Sequence, residues 1–408
     1  MKLIHTSDWH LGKSLEGHSR LPEQRMFIDE FIEIVEEENP DMVLVAGDIF
    51  DSGNPSAAAE ELYYDCMKRL SEDGKRLIAV VAGNHDSPER LSAPDCFMKE
   101  HGVLVISYPK QLIAKGKIGN HEAIEVREGF VRLTVNGEKV NLTAIPFPSE
   151  RRLNELFEKG DSEESIRDSY SERVGKLFSA GGDIAFECGW NIALGHFFTL
   201  GGETTDSERP IQIGGGYSVS LDSIPDFMDY VALGHLHRPQ RIKPNVVYSG
   251  SPLQYSKSEI GYSKAVFSVE LEKGKQPEIR EIYLKQSKPL EVWSVSGVGE
   301  AMRKLEENRG RSAWVYIDIE TDRIIPMEEI REMKSIRPDI LAITPIMEGH
   351  DEKEHDESLK MEERGIKELF TEFYENRNGM PPRTELVELL GEILGESEWE
   401  AADETDKA

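Results

Sequence analysis

The sequence is poor in cysteine and lacks long apolar runs, and each shortage excludes a class of protein. Its 408 residues include three cysteines, Cys66, Cys96 and Cys188, with no CxxC spacing. This excludes a disulfide framework and a thiolate zinc site. No apolar run approaches the ~18–20 residues that span a bilayer, and the first residues show no signal-peptide pattern. We therefore expect a cytoplasmic protein without a membrane segment.

Basic residues are also scarce, because 48 Lys and Arg stand against 77 Asp and Glu, a net charge of −29. Taken alone, this argues against a nucleic-acid binder, since such proteins present a basic surface. However, residues 347–408 hold 20 acidic and 7 basic residues and carry −13 of the total, whereas residues 235–265 hold five basic residues and one acidic residue. Nucleic-acid binding is therefore not excluded, and we expect it to be weak and salt-sensitive.

Apolar segments of strand length are followed at once by possible metal ligands at five places in the chain. These are His5-Thr6-Ser7-Asp8-Trp9-His10, Val45-Ala46-Gly47-Asp48, Ala82-Gly83-Asn84-His85, Leu194-Gly195-His196 and Leu233-Gly234-His235-Leu236-His237. Helical patterns at 23–38 and 57–70 lie between the early strands, which predicts an α/β layered domain. Ligands bind outside the carboxyl ends of such strands, and glycine permits close backbone approach. We expect the five strand ends to meet in one crevice.

The donors in these segments suggest a two-metal site. They are Asp8, His10, Asp48, Asn84, His196, His235 and His237. Any one of these motifs is common by itself, and a lone histidine such as His196 is more often a buried structural residue. Seven donors exceed the needs of one ion but suit two ions that share a carboxylate, for which Asp48 is the natural bridge. A donor set without thiolate favours manganese, with magnesium, iron or zinc also compatible.

The same segments resemble the motifs of a known family. Asp8-Trp9-His10, Gly47-Asp48, Gly83-Asn84-His85-Asp86, Gly195-His196 and Gly234-His235-Leu236-His237 resemble those of the calcineurin-like metallophosphoesterases. Residues 5–12 and 47–51 resemble the SbcD-type nucleases of DNA double-strand-break repair, and the resemblance covers most of the chain. It implies an α/β (α+β) fold in which a layered sheet sandwich is flanked by helices, in a nucleoid-associated protein.

The resemblance also implies roles for individual residues. One ion would be held by Asp8, His10, Asp48 and His237, and the other by Asp48, Asn84, His196 and His235. His85 would be catalytic, either donating a proton to the leaving oxygen or stabilising negative charge. Asp51 would orient His85, and Asp86 would be a structural residue of the turn.

DNA contacts and a homodimer are further expectations. Candidate phosphate contacts are Lys13, Arg20, Arg25, Arg238, Lys243 and Lys257, although ordinary solvated side chains explain them equally well. The resemblance implies a homodimer, whose contact would involve Tyr63, Tyr64, Met67, Phe97 and Met98. Core packing explains these residues equally well.

Three domains are expected. Residues 1–280 would form the metallophosphoesterase nuclease domain and 281–347 a small α/β capping domain, with strands at 290–295, 312–319 and 340–346 and helices at 300–307 and 326–333. Residues 348–408 would form an acidic linker and helical region. Its apolar stripes, which include Phe370, Tyr374 and Leu386, need a partner. Packing on the same chain is one solution, and the resemblance favours an SbcC-like SMC-type ATPase.

The expected function is that of the DNA nuclease component of an SbcCD-like complex. By two-metal phosphodiester hydrolysis it would act as a double-strand exonuclease and single-strand endonuclease on DNA ends and hairpins. One alternative is another calcineurin-like phosphodiesterase that acts on nucleotides. The other is a non-catalytic scaffold that tethers an ATPase to DNA.

Overall fold

The computed structural model of the protein describes residues 1–155, 163–182, 188–208 and 217–347, with residues 370, 374, 382, 386 and 387. Contacts divide the chain into two compact units. The first consists of Met1–Trp293, Glu306–Ile317 and Lys334–Ile343, and the second of Ser294–Leu305, Asp318–Met333 and Thr344–Ala408. Among the described residues, no helix has both the length and the apolar character needed to cross a membrane.

A six-stranded sheet forms one half of the first unit. Its strands are β1 (Lys2–Thr6), β4 (Met42–Ala46), β5 (Leu77–Val81), β6 (Val103–Ile106), β15 (Ala265–Glu270) and β16 (Glu278–Tyr283). They lie in the order β16-β15-β1-β4-β5-β6. The four strands from β1 to β6 are parallel, and β15 and β16 pair antiparallel. The apolar runs that predicted β1, β4 and β5 are therefore confirmed as strands.

An eight-stranded sheet forms the other half. Its strands are β7 (Gly116–Ile118), β8 (His121–Arg127), β9 (Phe130–Val135), β10 (Glu138–Ile145), β11 (Trp190–His196), β12 (Tyr230–Gly234), β13 (Gln240–Lys243) and β14 (Val246–Tyr248). They lie in the order β13-β14-β12-β11-β10-β9-β8-β7. The central strands β10, β11, β12 and β14 are parallel, whereas β7 to β10 form an antiparallel meander. The predicted strands before His196 and His235 thus lie in a different sheet from β1, β4 and β5.

Among the described residues, the apolar core around the two large sheets lies in three layers, because side chains alternate across each strand. Leu44 of β4 and Leu194 of β11 belong to one cluster, which fills the space between the sheets. Val43 and Val45 face the other way and pack with the helices on the outer side of the first sheet. Val231 faces a helix on the outer side of the second sheet. The result is the helix-flanked sheet sandwich that the resemblance implies.

The described part of the chain contains eight α-helices, and local contacts explain an end of two of them. They are α1 (Leu21–Glu38), α2 (Ala57–Ser71), α3 (Pro88–Ser92), α4 (Asp95–Glu100), α5 (Glu150–Leu153), α6 (Glu163–Phe178), α7 (Val298–Glu307) and α8 (Met327–Ile336). Ser56 caps α2 by accepting a hydrogen bond from the amide of Ala59 at 3.3 Å. Helix α1 ends at Asn39 in the left-handed conformation, with φ of 45°.

Smaller elements complete the described chain. β2 (Ser14–Leu15) pairs with β3 (His18–Ser19), and a three-stranded sheet has the order β17-β18-β19, with β17 at Leu290–Ser296, β18 at Trp314–Glu320 and β19 at Ile340–Ile346. These strands, with α7 and α8, confirm the strands and helices predicted for 290–346. The domain boundaries near residues 280 and 347 stay predictions, and most of the predicted C-terminal helices lies outside the described residues.

Candidate metal centre

The predicted ligands lie at the carboxyl ends of strands from both large sheets. Asp8 and His10 follow β1, Asp48 follows β4, Asn84 and His85 follow β5, His196 ends β11, and His235 and His237 follow β12. Backbone hydrogen bonds join the first two loops, because the amide of Asp8 donates to the carbonyl of Gly47 and that of His10 to the carbonyl of Asp48, each at 3.0 Å. The expected crevice is thus built where two sheets meet.

Four of these residues have left-handed backbone, which residues other than glycine rarely adopt. Their φ angles are 52° at Asp8, 46° at His10, 48° at Asp48 and 103° at His235. Each such conformation costs on the order of 1–3 kcal/mol and persists only where the surrounding structure enforces it. Strain of this kind is common at functional sites, and four of the ten non-glycine residues with positive φ in the described chain are predicted ligands.

Two glycines are required by close approach to the site. A Cβ atom on Gly83 would lie 2.1 Å from Oδ1 of Asp48, and one on Gly234 would lie 2.0 Å from the carbonyl oxygen of Ala46. Neither glycine has a positive φ, so the requirement is for space. The glycine that precedes the ligand in these segments therefore lets the loops pass each other at van der Waals contact.

Asp8, His10 and His237 have ligand atoms within 4.8 Å of one another. The Nε2 atoms of His10 and His237 face each other at 3.0 Å. The carboxylate of Asp8 accepts hydrogen bonds from the amide of His235 at 3.0 and 3.2 Å and from Oγ of Ser7 at 2.5 Å. These three side chains are buried and form one side of the centre.

Asp48 is the carboxylate that contacts histidines from both sheets. Its Oδ2 lies 3.5 Å from Nε2 of His196 and 3.7 Å from Nε2 of His10. On the side of His196, Oδ1 of Asn84 lies 2.9 Å from Nε2 of His196 and 3.0 Å from Nδ1 of His235. Asp48 thus has the central position that a bridging carboxylate requires.

The donors fit divalent cations in chemistry and in orientation. Nδ1 of His196 donates to the carbonyl of Ala46 at 2.7 Å, which leaves Nε2 as the atom that faces the centre. Such an outer hydrogen bond is usual for a metal-binding histidine. Nδ1 of His235 faces the same side of the centre, 3.0 Å from Oδ1 of Asn84.

Electrostatics at the centre favour a bound cation. Burial raises the pKa of Asp8 to about 6. Burial also acts upward on Asp48, but the neighbouring His196 holds the pKa of Asp48 well below its usual value. Burial acts to lower the pKa of His196, but the neighbouring Asp48 carboxylate outweighs that effect, and the pKa of His196 is raised to about 9. Buried carboxylates therefore attract positive charge, which divalent ions supply.

The His85 imidazole is held by a backbone group. Its Nδ1 donates to the carbonyl oxygen of Asp51 at 2.7 Å, and its Nε2 lies 4.0 Å from Oδ2 of Asp48. The contact of Asp51 with His85 is thus made by its backbone, whereas its carboxylate lies 2.8 Å from Nζ of Lys13 and 3.5 Å from Nδ1 of His10. Asp51 therefore contacts His85 through its carbonyl and His10 through its side chain.

Asp86 is a structural residue of its turn, as predicted. Its carboxylate accepts hydrogen bonds from the backbone amides of Gly83 at 2.8 Å, Phe50 at 2.9 Å and Ile49 at 3.2 Å. These bonds connect the turn that carries Asn84 to the loop that follows Asp48.

His237 has buried supports that sequence reasoning missed. Its Nδ1 lies 2.6 Å from Oγ of Ser207, which lies 2.5 Å from Oε1 of Glu259. Glu259 forms a fully buried ion pair with Lys264, whose Nζ also donates to the carbonyl of His237 at 2.9 Å. Lys264, one of the five basic residues in the segment 235–265, is thus no surface charge. No local motif marks this cluster, because its members are up to 57 residues apart.

The basic residues near the first motif differ in their accessibility. Arg25 is exposed on α1, and Lys13 is partly exposed. Arg20, however, is 1% exposed, pairs with Glu23 at 2.8 Å and donates to the carbonyl of Gln254 at 2.7 Å. The prediction that Arg20 contacts DNA is therefore corrected, because both of its bonds are made inside the fold.

The other three candidate DNA contacts lie at the surface with local partners. Arg238 pairs with Glu203 and lies 4.5 Å above the ring of Tyr262. Lys243 donates to a backbone carbonyl at 2.9 Å, and Nζ of Lys257 lies 5.9 Å from the Tyr316 ring centroid. Their role in binding DNA stays a prediction.

The residues predicted for a dimer contact divide into two classes. Tyr63, Met67 and Met98 are buried in the core beside the first sheet. Tyr64 and Phe97 are 37% and 70% exposed. Only the exposed pair can contribute to an interface on this surface, and the dimer itself stays a prediction.

Comparison with known proteins identifies the family. A family model described as calcineurin-like phosphoesterase matches residues 1–239, and one described as type 5 capsule protein repressor C-terminal domain (SbcD_C) matches residues 286–378. A curated protein of Bacillus subtilis, named as the SbcD subunit of nuclease SbcCD, is 39% identical over 98% of this chain and 100% of that protein. Proteins of the same name from Rhodobacter capsulatus (33% identical; 81% of this chain, 82% of theirs) and Staphylococcus epidermidis (30%; 91% and 92%) also match. The chain therefore belongs to the calcineurin-like phosphoesterase family, among the relatives named for the SbcD subunit of nuclease SbcCD.

Proposed function

We infer that this chain is a metal-dependent nuclease of the SbcD type that hydrolyses phosphodiesters at DNA ends and hairpins. The observation that carries this inference is the convergence of seven donors from two sheets on one centre, beside the oriented imidazole of His85. A relative that is 39% identical over 98% of this chain is named as a subunit of a nuclease. Double-strand exonuclease and single-strand endonuclease activities are the two that we propose.

The proposed centre holds two divalent ions, and manganese suits its oxygen and imidazole donors best. One ion would be bound by Asp8, His10, Asp48 and His237, and the other by Asp48, Asn84, His196 and His235. When bound, such a pair supplies a nucleophile at neutral pH and charge stabilisation for an in-line displacement at phosphorus. The central position of Asp48 supports its assignment as the bridge.

His85 is the proposed catalytic side chain. Because its Nδ1–H is donated to the carbonyl of Asp51, Nε2 is the only nitrogen that can exchange a proton with the substrate. In its protonated form, this nitrogen can donate to the leaving oxygen or to a phosphate oxygen, which are the two roles that the sequence leaves open. Asp51 fixes the ring through its backbone, so substitution of the Asp51 side chain should not release His85.

A nuclease assay on the isolated chain tests the proposed function. With manganese, the wild-type protein should degrade linear duplex DNA, and His85→Gln should keep both ions and DNA binding but cleave roughly 10²–10⁴-fold more slowly. His101→Gln, at an exposed histidine, is the matched control and should leave cleavage unchanged. Hydrolysis of a small model diester without DNA cleavage would favour the alternative phosphodiesterase. Metal binding without any turnover would favour the scaffold.

We further propose that the chain works with a partner. Residues 1–280 would form the nuclease domain and 281–347 the capping domain, and 348–408 would bind an SbcC-like ATPase. The match to the SbcD_C model supports a dedicated C-terminal region.

Exposed Tyr64 and Phe97 are the proposed dimer residues. The remaining candidates for DNA contacts are Lys13, Arg25, Arg238, Lys243 and Lys257. Much of the affinity for DNA would then come from the ATPase, since the chain carries a net charge of −29.

A further inference from the structure

Arg152 joins two distant parts of the nuclease domain at the turn that carries Asn84 and His85. Its Nη1 donates to the carbonyl of Gly83 and its Nη2 to the carbonyl of Asp86, each at 2.7 Å. These two carbonyls are the first and last of the turn 83–86, so one planar guanidinium spans the turn from end to end. Two parallel N–H donors on one rigid guanidinium fix the orientation of the two carbonyl groups as well as their distance from Arg152.

The position of Arg152 is itself fixed by the fold. Its amide donates to Oγ of Ser149, the cap of α5, at 3.4 Å, and its guanidinium carbon lies 5.7 Å from the centroid of the Phe147 ring. The amide of Phe147 donates to the carbonyl of Ala82 at 3.0 Å, and its ring stacks on the ring of His235 with centroids 6.1 Å apart. Arg152 is therefore held beside the centre by the segment that follows β10.

The turn 83–86 is also held by hydrogen bonds to its amide groups. On its opposite side, the Asp86 carboxylate accepts from the amide of Gly83 at 2.8 Å, and the amide of His85 donates to Oδ1 of Asp48 at 2.8 Å. Asp86 and Asp48 hold the amide groups of the turn, whereas Arg152 holds its carbonyl groups. Removing the guanidinium would leave both carbonyls without the partner that fixes the orientation of the peptide planes around Asn84.

We propose that Arg152 is a positioning residue that sets the Asn84 side chain for metal binding and the His85 imidazole for turnover. Its direct contacts lie on one half of the centre, because its guanidinium bonds to the turn 83–86 and packs on Phe147, on the side of Asn84 and His235. The half that contains His237 is supported from elsewhere, through the contact between Ser207 and His237. The proposal rests on the proposed function for its effect on turnover, but its effect on metal binding is independent of the substrate.

Manganese binding to the full-length chain, measured by calorimetric titration and by electron paramagnetic resonance, tests the proposal. Arg152→Met should keep one tightly bound ion and bind the second about 10–100-fold more weakly, as is usual when an outer partner of a ligand is removed. The spin-coupled signal of an ion pair should then be replaced by that of single ions. Arg152→Lys retains one of the two donors and should recover part of the loss. Arg151→Met, at the exposed neighbouring arginine, is the matched control and should bind both ions like the wild type.

A double-substitution cycle separates positioning from general damage to the fold. If Arg152 acts through Asn84, Arg152→Met should weaken manganese binding no further in an Asn84→Ala background. The reason is that the free-energy effects of two substitutions do not add when both act through the same group. In a Ser207→Ala background, which affects the other half, the two losses should add. Full additivity with Asn84→Ala, or wild-type metal binding by both Arg152 variants, would overturn the proposal. If Arg152→Met does not fold, the same cycle with Arg152→Lys decides.

The outcomes also separate this proposal from the proposed function. A wild-type chain that binds two ions in an Arg152-dependent manner but never cleaves DNA would refute the nuclease function and leave the positioning role intact. If the wild type cleaves DNA and the Arg152 variants bind manganese as tightly as the wild type, the positioning role is refuted and the nuclease function stands. The effect on turnover is measured at saturating manganese. Under that condition, Arg152→Lys should have the KM for DNA of the wild type but a lower kcat.

Discussion

Gly83→Ala is the substitution whose effect on the centre follows most directly from its geometry. The new Cβ would lie 2.1 Å from Oδ1, 2.2 Å from the amide nitrogen and 2.7 Å from Cγ of Asp48. Since Cβ atoms in proteins essentially never come within 3.0 Å of such an atom, Asp48 or the turn must move by about 1 Å. The methyl group cannot be avoided by rotating a flexible side chain, because one of the clashing atoms is backbone.

A displacement of this size exceeds what a metal site tolerates. Ligand distances are met within about 0.2 Å, and a misplacement of ~1 Å can cost about 10²-fold in turnover. We therefore expect Gly83→Ala to lose at least about 100-fold in kcat and to bind fewer than two manganese ions, with about 1–3 kcal/mol of destabilisation from overpacking. Gly53→Ala is the control, because its Cβ would meet nothing closer than Ser87 at 3.6 Å. Metal content by elemental analysis, nuclease rates and urea unfolding measure the three effects. Two bound ions and wild-type turnover in Gly83→Ala would refute the reasoning.

Three further predictions concern the metal, the acid stability and the C-terminal region. Asp48→Ala should lose bound metal altogether in elemental analysis, because the bridging position serves both ions; retention of two ions would refute that assignment. Burial acts upward on Glu38, but Arg280 at 2.5 Å and Lys2 at 2.9 Å lower the pKa of Glu38 to about 2 from 4.5. The resulting stabilisation, about 1–3 kcal/mol after allowance for solvent screening, is present above about pH 4.5 and lost as pH falls toward 2. Glu38→Gln should therefore lower the free energy of unfolding at neutral pH but not near pH 2, and equal losses at both pH values would contradict this. Deletion of residues 358–408 should abolish co-purification with an SbcC-like ATPase while manganese-dependent cleavage persists; continued co-purification would place the contact elsewhere.

Local patterns predict many elements within a few residues of their observed bounds. The run Met42 to Ala46 predicts β4 because five consecutive apolar residues suit a strand covered on both faces. The predicted start of α1 is two residues late, since Leu21 and Pro22 precede the apolar periodicity. The antiparallel meander from β7 to β10 is not predicted, because its strands alternate weakly and contain no motif.

In the candidate site, the sequence identifies the metal ligands but not which of the basic residues are buried. Asp8, His10 and Asp48 are recognisable because each follows a strand end at once, and ligand type depends on the residue alone. Counting Arg20 and Lys264 among the surface charges is wrong, since burial depends on what the rest of the chain packs against them. Charge counted along a sequence window carries no information about which side chains reach solvent.

The sequence by itself thus determined the strands that carry the ligands, helices α1 and α2 and the chemical type of the donors, all of which depend on residues a few positions apart. Only the tertiary structure decided which atoms meet. The Nε2 atoms of His10 and His237 approach to 3.0 Å across 227 residues, and Arg152 reaches the carbonyl of Gly83 across 69. Contacts at such separations depend on how two sheets stack, and stacking is a property of the whole core rather than of any segment.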